Sequence, residues 1–330
     1  MELILLTIIL SASIYIIKKC SSSFDIAANF LTRNLAEGIK GPTINAIASS
    51  LPELLITSIF LFFFQDIQGF LAGYATIIGS SVFNIAVIPV IAYLFVYIKR
   101  GRETVFTINK LIVKQDTYFL LGSIVILSLG FYLGVGIILS SLLIMFYILY
   151  IIYVIKTRFK VNLKKSTHHN ITLQKSNIWL SFLNLNLFNL FFKGKVNTFS
   201  SYIVIFLSIL LIVGSCYSLV LVVDSISKFL EIDIFFGAFI IAAIASSIPD
   251  TILSIQDAQN DNYSDSFSNA YGSNIFDICI GIGLPVFIYS LFKTPLEMKM
   301  EIDRFGGFIG EYVFNGNLFI WSLFLLFIFT

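Results

Sequence analysis

Apolar runs recur along most of this chain, each close to the roughly 20 residues that a helix needs to cross a bilayer. Nine are read, near 1–17, 39–64, 69–98, 117–134, 136–155, 199–223, 234–258, 266–292 and 307–330. Charged residues make up 12% of the chain, hydrophobic residues 58%, and the mean hydropathy is +0.93. A soluble protein of 330 residues has no way to cover its surface with so few charges. The expected fold is therefore all-α and polytopic, with lipid as its main solvent. The first run, Leu3 to Ile17, lacks a basic start and a small-x-small cleavage site, and its lysines follow it. It reads as a membrane helix rather than a signal peptide.

Lysine and arginine set the orientation. "KRGRETVFTINKLIVK" holds five basic residues and one acid, and Lys156 to Thr198 holds eight basic residues and no acid. Both stretches are expected in the cytoplasm, and the two spans between them allow it. Counting back places Lys18, Lys19 and Arg33 in a cytoplasmic loop and the N-terminus outside. The chain then divides into a first membrane repeat of five spans (1–155), a basic cytoplasmic loop (156–198) and a second repeat of four spans (199–330). An integral protein of the plasma membrane is expected. Within the loop, "SNIWLSFLNLNLFNLFF" (176–192) is apolar but studded with asparagine, which suits an interfacial amphipathic helix. His168 and His169 stand beside no carboxylate or thiol in sequence and read as solvated loop residues. Cys20, Cys216 and Cys279 are far apart and show no metal or disulfide spacing.

One octapeptide occurs twice, as "AIASSLPE" from Ala46 and as "AIASSIPD" from Ala243, with six identities in eight. A second pair follows in the same order, "GSSVFNI" from Gly79 and "GSNIFDI" from Gly272. Matching blocks in matching order mark an internal duplication. Five spans precede the central loop, so the second copy enters the membrane from the opposite side. Inverted repeats with interrupted helices at corresponding positions are the sequence sign of a secondary transporter with its site near the midplane.

Pro52 and Pro249 lack an N–H and collide with the carbonyl four residues back, which breaks each helix. Broken backbone at membrane depth is tolerable only where protein packs on it or it lines a cavity. Glu53, Asp250 and Asp277 then lie inside apolar runs, where an ionised acid costs about 2.5–3.5 kcal/mol on the mildest scale. Lys40, a leaflet away, is the nearest basic residue within these spans. Compensation must come from a bound cation or from protonation. Ser49 and Ser50 precede Glu53 by one turn, and Ser246 and Ser247 precede Asp250 likewise. Asn84 follows Ser80, and Asp277 follows Ser273, each by four positions. The set offers oxygen ligands and no imidazole or thiolate, which fits Ca²⁺ or Na⁺ rather than Zn²⁺ or Cu⁺. Gly79 and Gly272 read either as points of close helix approach or unwinding, or as ordinary helix packing.

"GPTINAIASSLPELLITS", "GSSVFNI", "AIASSIPDTILS" and "GSNIFDI" resemble the two alpha-repeats of the sodium/calcium exchanger (calcium/cation antiporter) superfamily, its prokaryotic-type members most of all. The resemblance implies an antiporter that expels Ca²⁺ against incoming Na⁺, without a cofactor and without enzymatic chemistry. It implies Glu53 and Asp250 as central calcium ligands, completed by Ser49, Ser50, Ser80, Asn84, Ser246, Ser247, Ser273 and Asp277. The partners expected are inorganic cations and the lipid bilayer, not nucleic acid. Asp277, where some relatives carry Asn, resembles the potassium-dependent branch and leaves K⁺ or H⁺ co-transport open. Three departures stand out. Ala48-Ser49-Ser50 and Ala245-Ser246-Ser247 replace the family's frequent Gly-Thr-Ser, nine spans replace the usual ten, and the central loop has no acidic cluster. A transport-dead relative is one alternative. An intramembrane aspartyl protease using Asp250 and Asp277 is another, although neither aspartate sits in a Gly-x-Gly-Asp motif and the first repeat would be left unexplained.

Overall fold

Prolines divide the spans that carry the repeats. In the computed structural model, which describes residues 2–32, 46–65, 67–101, 110–130, 134–158, 178–292, 323, 325–328 and 330, all assigned regular structure is helical. The first repeat comprises α1 (Glu2–Leu31), α2 (Ala46–Ser49), α3 (Leu51–Phe64), α4 (Ile67–Ala86), α5 (Ile88–Arg100), α6 (Lys110–Ser128) and α7 (Ile137–Arg158). Two short helices follow, α8 (Ile178–Leu183) and α9 (Leu187–Phe192). The second repeat holds α10 (Thr198–Phe229), α11 (Ile234–Gly237), α12 (Ala243–Ser246), α13 (Ile248–Gln259), α14 (Tyr263–Phe276) and α15 (Gly283–Phe292). Single π-helical segments join α11 to α12 (Ala238–Ala242) and α14 to α15 (Asp277–Ile282).

Among the described residues, six continuous helical stretches are long and apolar enough to cross a membrane: Glu2–Leu31, Gln68–Arg100, Ile137–Thr157, Thr198–Phe229, Ile234–Gln259 and Ser266–Phe292. Their outer faces carry apolar side chains such as Ile98 and Phe206, 80% and 62% exposed, as lipid-facing surfaces do. The chain is an integral membrane protein. The ninth expected span (307–330) lies mostly outside the described residues, as do Arg33, Lys40, Gly41, the two histidines and the middle of the glycine-rich turn at 129–136.

Two expected boundaries differ. The first helix continues past Ile17 to Leu31, so Lys18 and Lys19 belong to a helix and not to a loop. Their long stems let the ammonium groups leave the apolar face. Lys19 reaches the Asn184 side-chain oxygen at 3.1 Å, and the Tyr15 hydroxyl donates to the Leu183 carbonyl at 2.7 Å. The apolar segment 176–192 is two helices rather than one. Leu185 takes a left-handed backbone (φ 47°) and Asn186 caps α9 by accepting from the Asn189 amide at 3.1 Å.

The halves pack in an inverted sense. Helices α1 and α10 lie side by side along their length. Ala27 near the end of α1 shares an apolar cluster with Val204 near the start of α10, so the pair runs antiparallel. Helices α3, α4, α12 and α14 converge beside that pair around one core that includes Ile56, Ile77, Ala245 and Ile278. At the far end of α5, Arg100 pairs with Asp261 of the α13–α14 turn and donates to the Gln259 carbonyl at 2.8 Å, which ties the first half to the second.

Candidate ion site

The duplicated octapeptide forms the same object twice. Helix α2 ends at Ser49, the chain kinks at Ser50, and α3 restarts with Pro52 in its first turn. Helix α12 ends at Ser246, kinks at Ser247, and α13 restarts with Pro249. Proline is well placed in a first turn because the missing N–H has no helical acceptor there. Each break puts a carboxylate, Glu53 or Asp250, in the first turn of the new helix, where the local dipole favours negative charge.

Helices α4 and α14 bring the second motif to these breaks. A Cβ at Gly79 would strike the Phe239 carbonyl oxygen and lie 2.8 Å from the Ala243 methyl, so only glycine allows α4 to come this close to the second repeat. Of the two readings of Gly79, close approach is the one observed.

All ten residues singled out in the sequence are buried at this crossing: Ser49 is 1% exposed and the other nine are 0%. Ser80 Oγ donates to Glu53 Oε1 at 3.2 Å, and Ser273 Oγ to Asp250 Oδ1 at 2.7 Å, a matched bond in each repeat. The repeats are also wired across. The Ser246 hydroxyl interacts with Glu53 and the Ser49 hydroxyl with Asp250. Ser80 and Ser247 hydroxyls meet at 2.7 Å, and those of Ser49 and Ser273 at 3.4 Å. Asn84 Nδ2 donates to Asp250 Oδ2 at 3.3 Å. Asp277, the counterpart of Asn84, interacts electrostatically with both Glu53 and Asp250 and faces the Ser50 hydroxyl.

Several of these oxygens form no well-aligned hydrogen bond to the protein: Ser50 Oγ, Glu53 Oε2, Asn84 Oδ1 and both oxygens of Asp277. Leaving acceptors unpaired in an apolar interior is expensive, so these oxygens are suited to receive a hard cation. Among the described residues no three His, Cys, Asp or Glu side chains form a cluster of the kind that holds a resident metal. The donor set is dominated instead by hydroxyl and amide oxygens, as suits a weakly held, exchangeable ion.

Two asparagines escaped the sequence reading. Asn269 Nδ2 approaches Asp250 Oδ1 at 3.5 Å, Asn274 Oδ1 accepts from Asn84 at 3.0 Å, and Asn274 Nδ2 donates to the Ser81 carbonyl at 3.0 Å. Their signal was available, since Asn269 precedes Ser273 by one helical turn on a run otherwise long enough to span. A cavity of about 190 Å³ between α1, α2 and α13 is walled by Ser49 together with Lys18, Ser22, Asp25, Pro249 and Gln256 among others.

A family profile described as "Sodium/calcium exchanger protein" matches residues 3–156 and 200–330. Among curated proteins none matches the chain. Of solved structures, the H⁺/Ca²⁺ exchanger CAX superposes with a TM-score of 0.63 at 16% identity, covering 99% of this chain and 87% of that one. Native YfkE gives 0.57 at 16% identity, with 98% and 84% covered. The sodium-calcium exchanger NCX_Mj, soaked with Na⁺ and Sr²⁺, gives 0.52 at 19% identity, with 99% and 91% covered. At such identities these likenesses speak for the fold.

Proposed function

The chain belongs to the sodium/calcium exchanger protein family, and from that premise we propose that it carries Ca²⁺ across the membrane in exchange for Na⁺ by alternating access. Membership places it among transporters, and the intramembrane protease alternative falls away. Calcium is the substrate here, not a cofactor.

The observation that carries the reading is the meeting of Glu53 and Asp250, one from each repeat, at two proline breaks surrounded by buried hydroxyls. Two carboxylates balance one divalent ion. Ser49, Ser80, Ser246, Ser273 and Asn84 position those carboxylates and supply neutral oxygens. Ser50, Ser247 and Asp277 complete the ligand set for Ca²⁺ and for the monovalent ions that replace it. The cavity that Ser49 helps to wall serves as the path to one side. The basic stretches at 99–114 and 156–198 favour placing that mouth, next to Lys18, in the cytoplasm, with the N-terminus outside.

A second reading has its own support. With Glu53, Asp250 and Asp277 all ionised the site holds one negative charge more than Ca²⁺ neutralises. A K⁺ bound alongside, or a proton on one acid, removes the excess, which favours a K⁺-dependent or H⁺-coupled variant of the same exchange. Uptake of ⁴⁵Ca²⁺ into proteoliposomes under imposed Na⁺, K⁺ and H⁺ gradients tests both. Uptake driven by an outward Na⁺ gradient is the expected result. No uptake under any gradient sinks the reading and leaves a transport-dead relative.

A further inference from the structure

Asp116 is a buried acid outside the duplicated motifs. The sequence reading starts the fourth span at residue 117 and so leaves Asp116 outside it. The helix instead begins at Lys110, and Asp116 is 0% exposed. Its Oδ2 accepts from Ser268 Oγ at 2.6 Å and its Oδ1 from the Tyr150 hydroxyl at 3.1 Å. Both partners are buried as well. One carboxylate thus joins α6, α7 and α14. The Ser268 contact has the short length of a charge-assisted bond.

Ser268 is next to Asn269 and five residues before Ser273, and these two side chains converge on the same oxygen of Asp250. Whatever fixes the rotation of α14 at Ser268 therefore fixes where its amide and hydroxyl meet that carboxylate. We propose that Asp116 is a positioning residue for the ion site, holding α14 through Ser268 at the rotation that lets Asn269 and Ser273 reach Asp250. The proposal rests on the reading of Asp250 as an ion ligand. It explains why a helix outside the duplicated motifs keeps a buried acid in spite of the cost of burying charge.

The test compares wild type, Asp116→Asn, Ser268→Ala, the double variant and Ser268→Thr in ⁴⁵Ca²⁺ flux, with KM and maximal rate separated. Asp116→Asn and Ser268→Ala are each expected to raise KM for Ca²⁺ by roughly tenfold, the loss of about one charge-assisted hydrogen bond. The maximal rate per folded protein should stay within about twofold. The double variant should be no worse than either single one, because both break the same link, and Ser268→Thr should restore the wild-type KM. Fewer folded molecules with an unchanged KM would make Asp116 a packing residue and overturn the proposal. A change in counter-ion dependence with Asp116→Asn but not Ser268→Ala would also overturn it, by making Asp116 an ion ligand. Hydrogen exchange along Tyr263–Phe276 decides independently of transport. Faster exchange in both single variants supports the clamp, and unchanged protection refutes it. If wild type moves no Ca²⁺ the transport reading fails, while the exchange measurement still settles the clamp.

Discussion

Glu53 and Asp250 occupy equivalent positions in the two repeats, and each accepts a hydroxyl from its own repeat and faces one from the other. Glu53→Gln and Asp250→Asn keep shape and remove one charge apiece. Each is expected to lower Ca²⁺ flux by about two orders of magnitude, the scale of roughly 3 kcal/mol of buried charge, with folded yield maintained. Flux in proteoliposomes together with size-exclusion profiles checks this, and normal uptake by both variants would contradict the assignment. Asp277 poses a different question, because neither of its oxygens forms a well-aligned hydrogen bond to the protein and, on the proposed function, it supplies the charge beyond what Ca²⁺ needs. Asp277→Asn leaves two acids for one divalent ion. The variant should keep Ca²⁺ transport and lose whatever dependence on K⁺ or pH the wild type has. Initial rates at varied K⁺ and pH measure it, and an unchanged dependence on both excludes Asp277 as the holder of the second cation.

At the scale of elements, the proline breaks decide where the acids point. Pro52→Ala and Pro249→Ala restore an N–H able to reach the Ala48 or Ala245 carbonyl, so α2 and α12 can run straight into the helices that follow. The serines one turn before each acid would then rotate away from the crossing. Thermal stability should be equal or higher while Ca²⁺ flux drops at least about tenfold, a split that melting curves and flux assays resolve; wild-type flux would show that the breaks are incidental. Gly79 acts on packing instead. Because a Cβ there meets the Phe239 backbone rather than a flexible side-chain tip, Gly79→Ala should cost about 1–3 kcal/mol. It should also weaken Ca²⁺ binding by pushing Ser80 away from Ser247. An unaltered melting temperature would mean that the two repeats separate easily at this point.

For the molecule as a whole, the ties between the halves lie at different depths. The buried crossing of the two motifs links them at the centre, the antiparallel α1–α10 pair packs alongside, and Arg100 with Asp261 joins them at one end. Hydrogen bonds from Arg100, then from Tyr263, hold the Asp261 carboxyl below its usual value. The stability this pair contributes is therefore present above the ordinary aspartate range near 4 and is lost as pH falls through the lowered value. Exposed pairs contribute little. The melting temperature of Asp261→Asn should sit slightly below wild type at neutral pH, and the gap should close on acidification. A gap that persists in acid would assign the effect to packing rather than to charge.

The membrane character and the duplication follow from the sequence by itself, because apolar length and a repeated octapeptide are local patterns that no folding is needed to see. The ten residues that the structure buries at the crossing are also singled out in sequence, through the matched motifs and the resemblance they carry. What only the tertiary structure decided is which side chains from separate helices share an oxygen. Asn269 and Asn274 gain their place from the rotation of α14 about its axis. Asp116 gains its place from the approach of α6 to that helix, 152 positions away in the chain from its partner Ser268. Spacing along a helix fixes which residues share a face. Which face turns inward, and against what, is set by packing between helices distant in sequence, and a single chain read in order carries no trace of that distance.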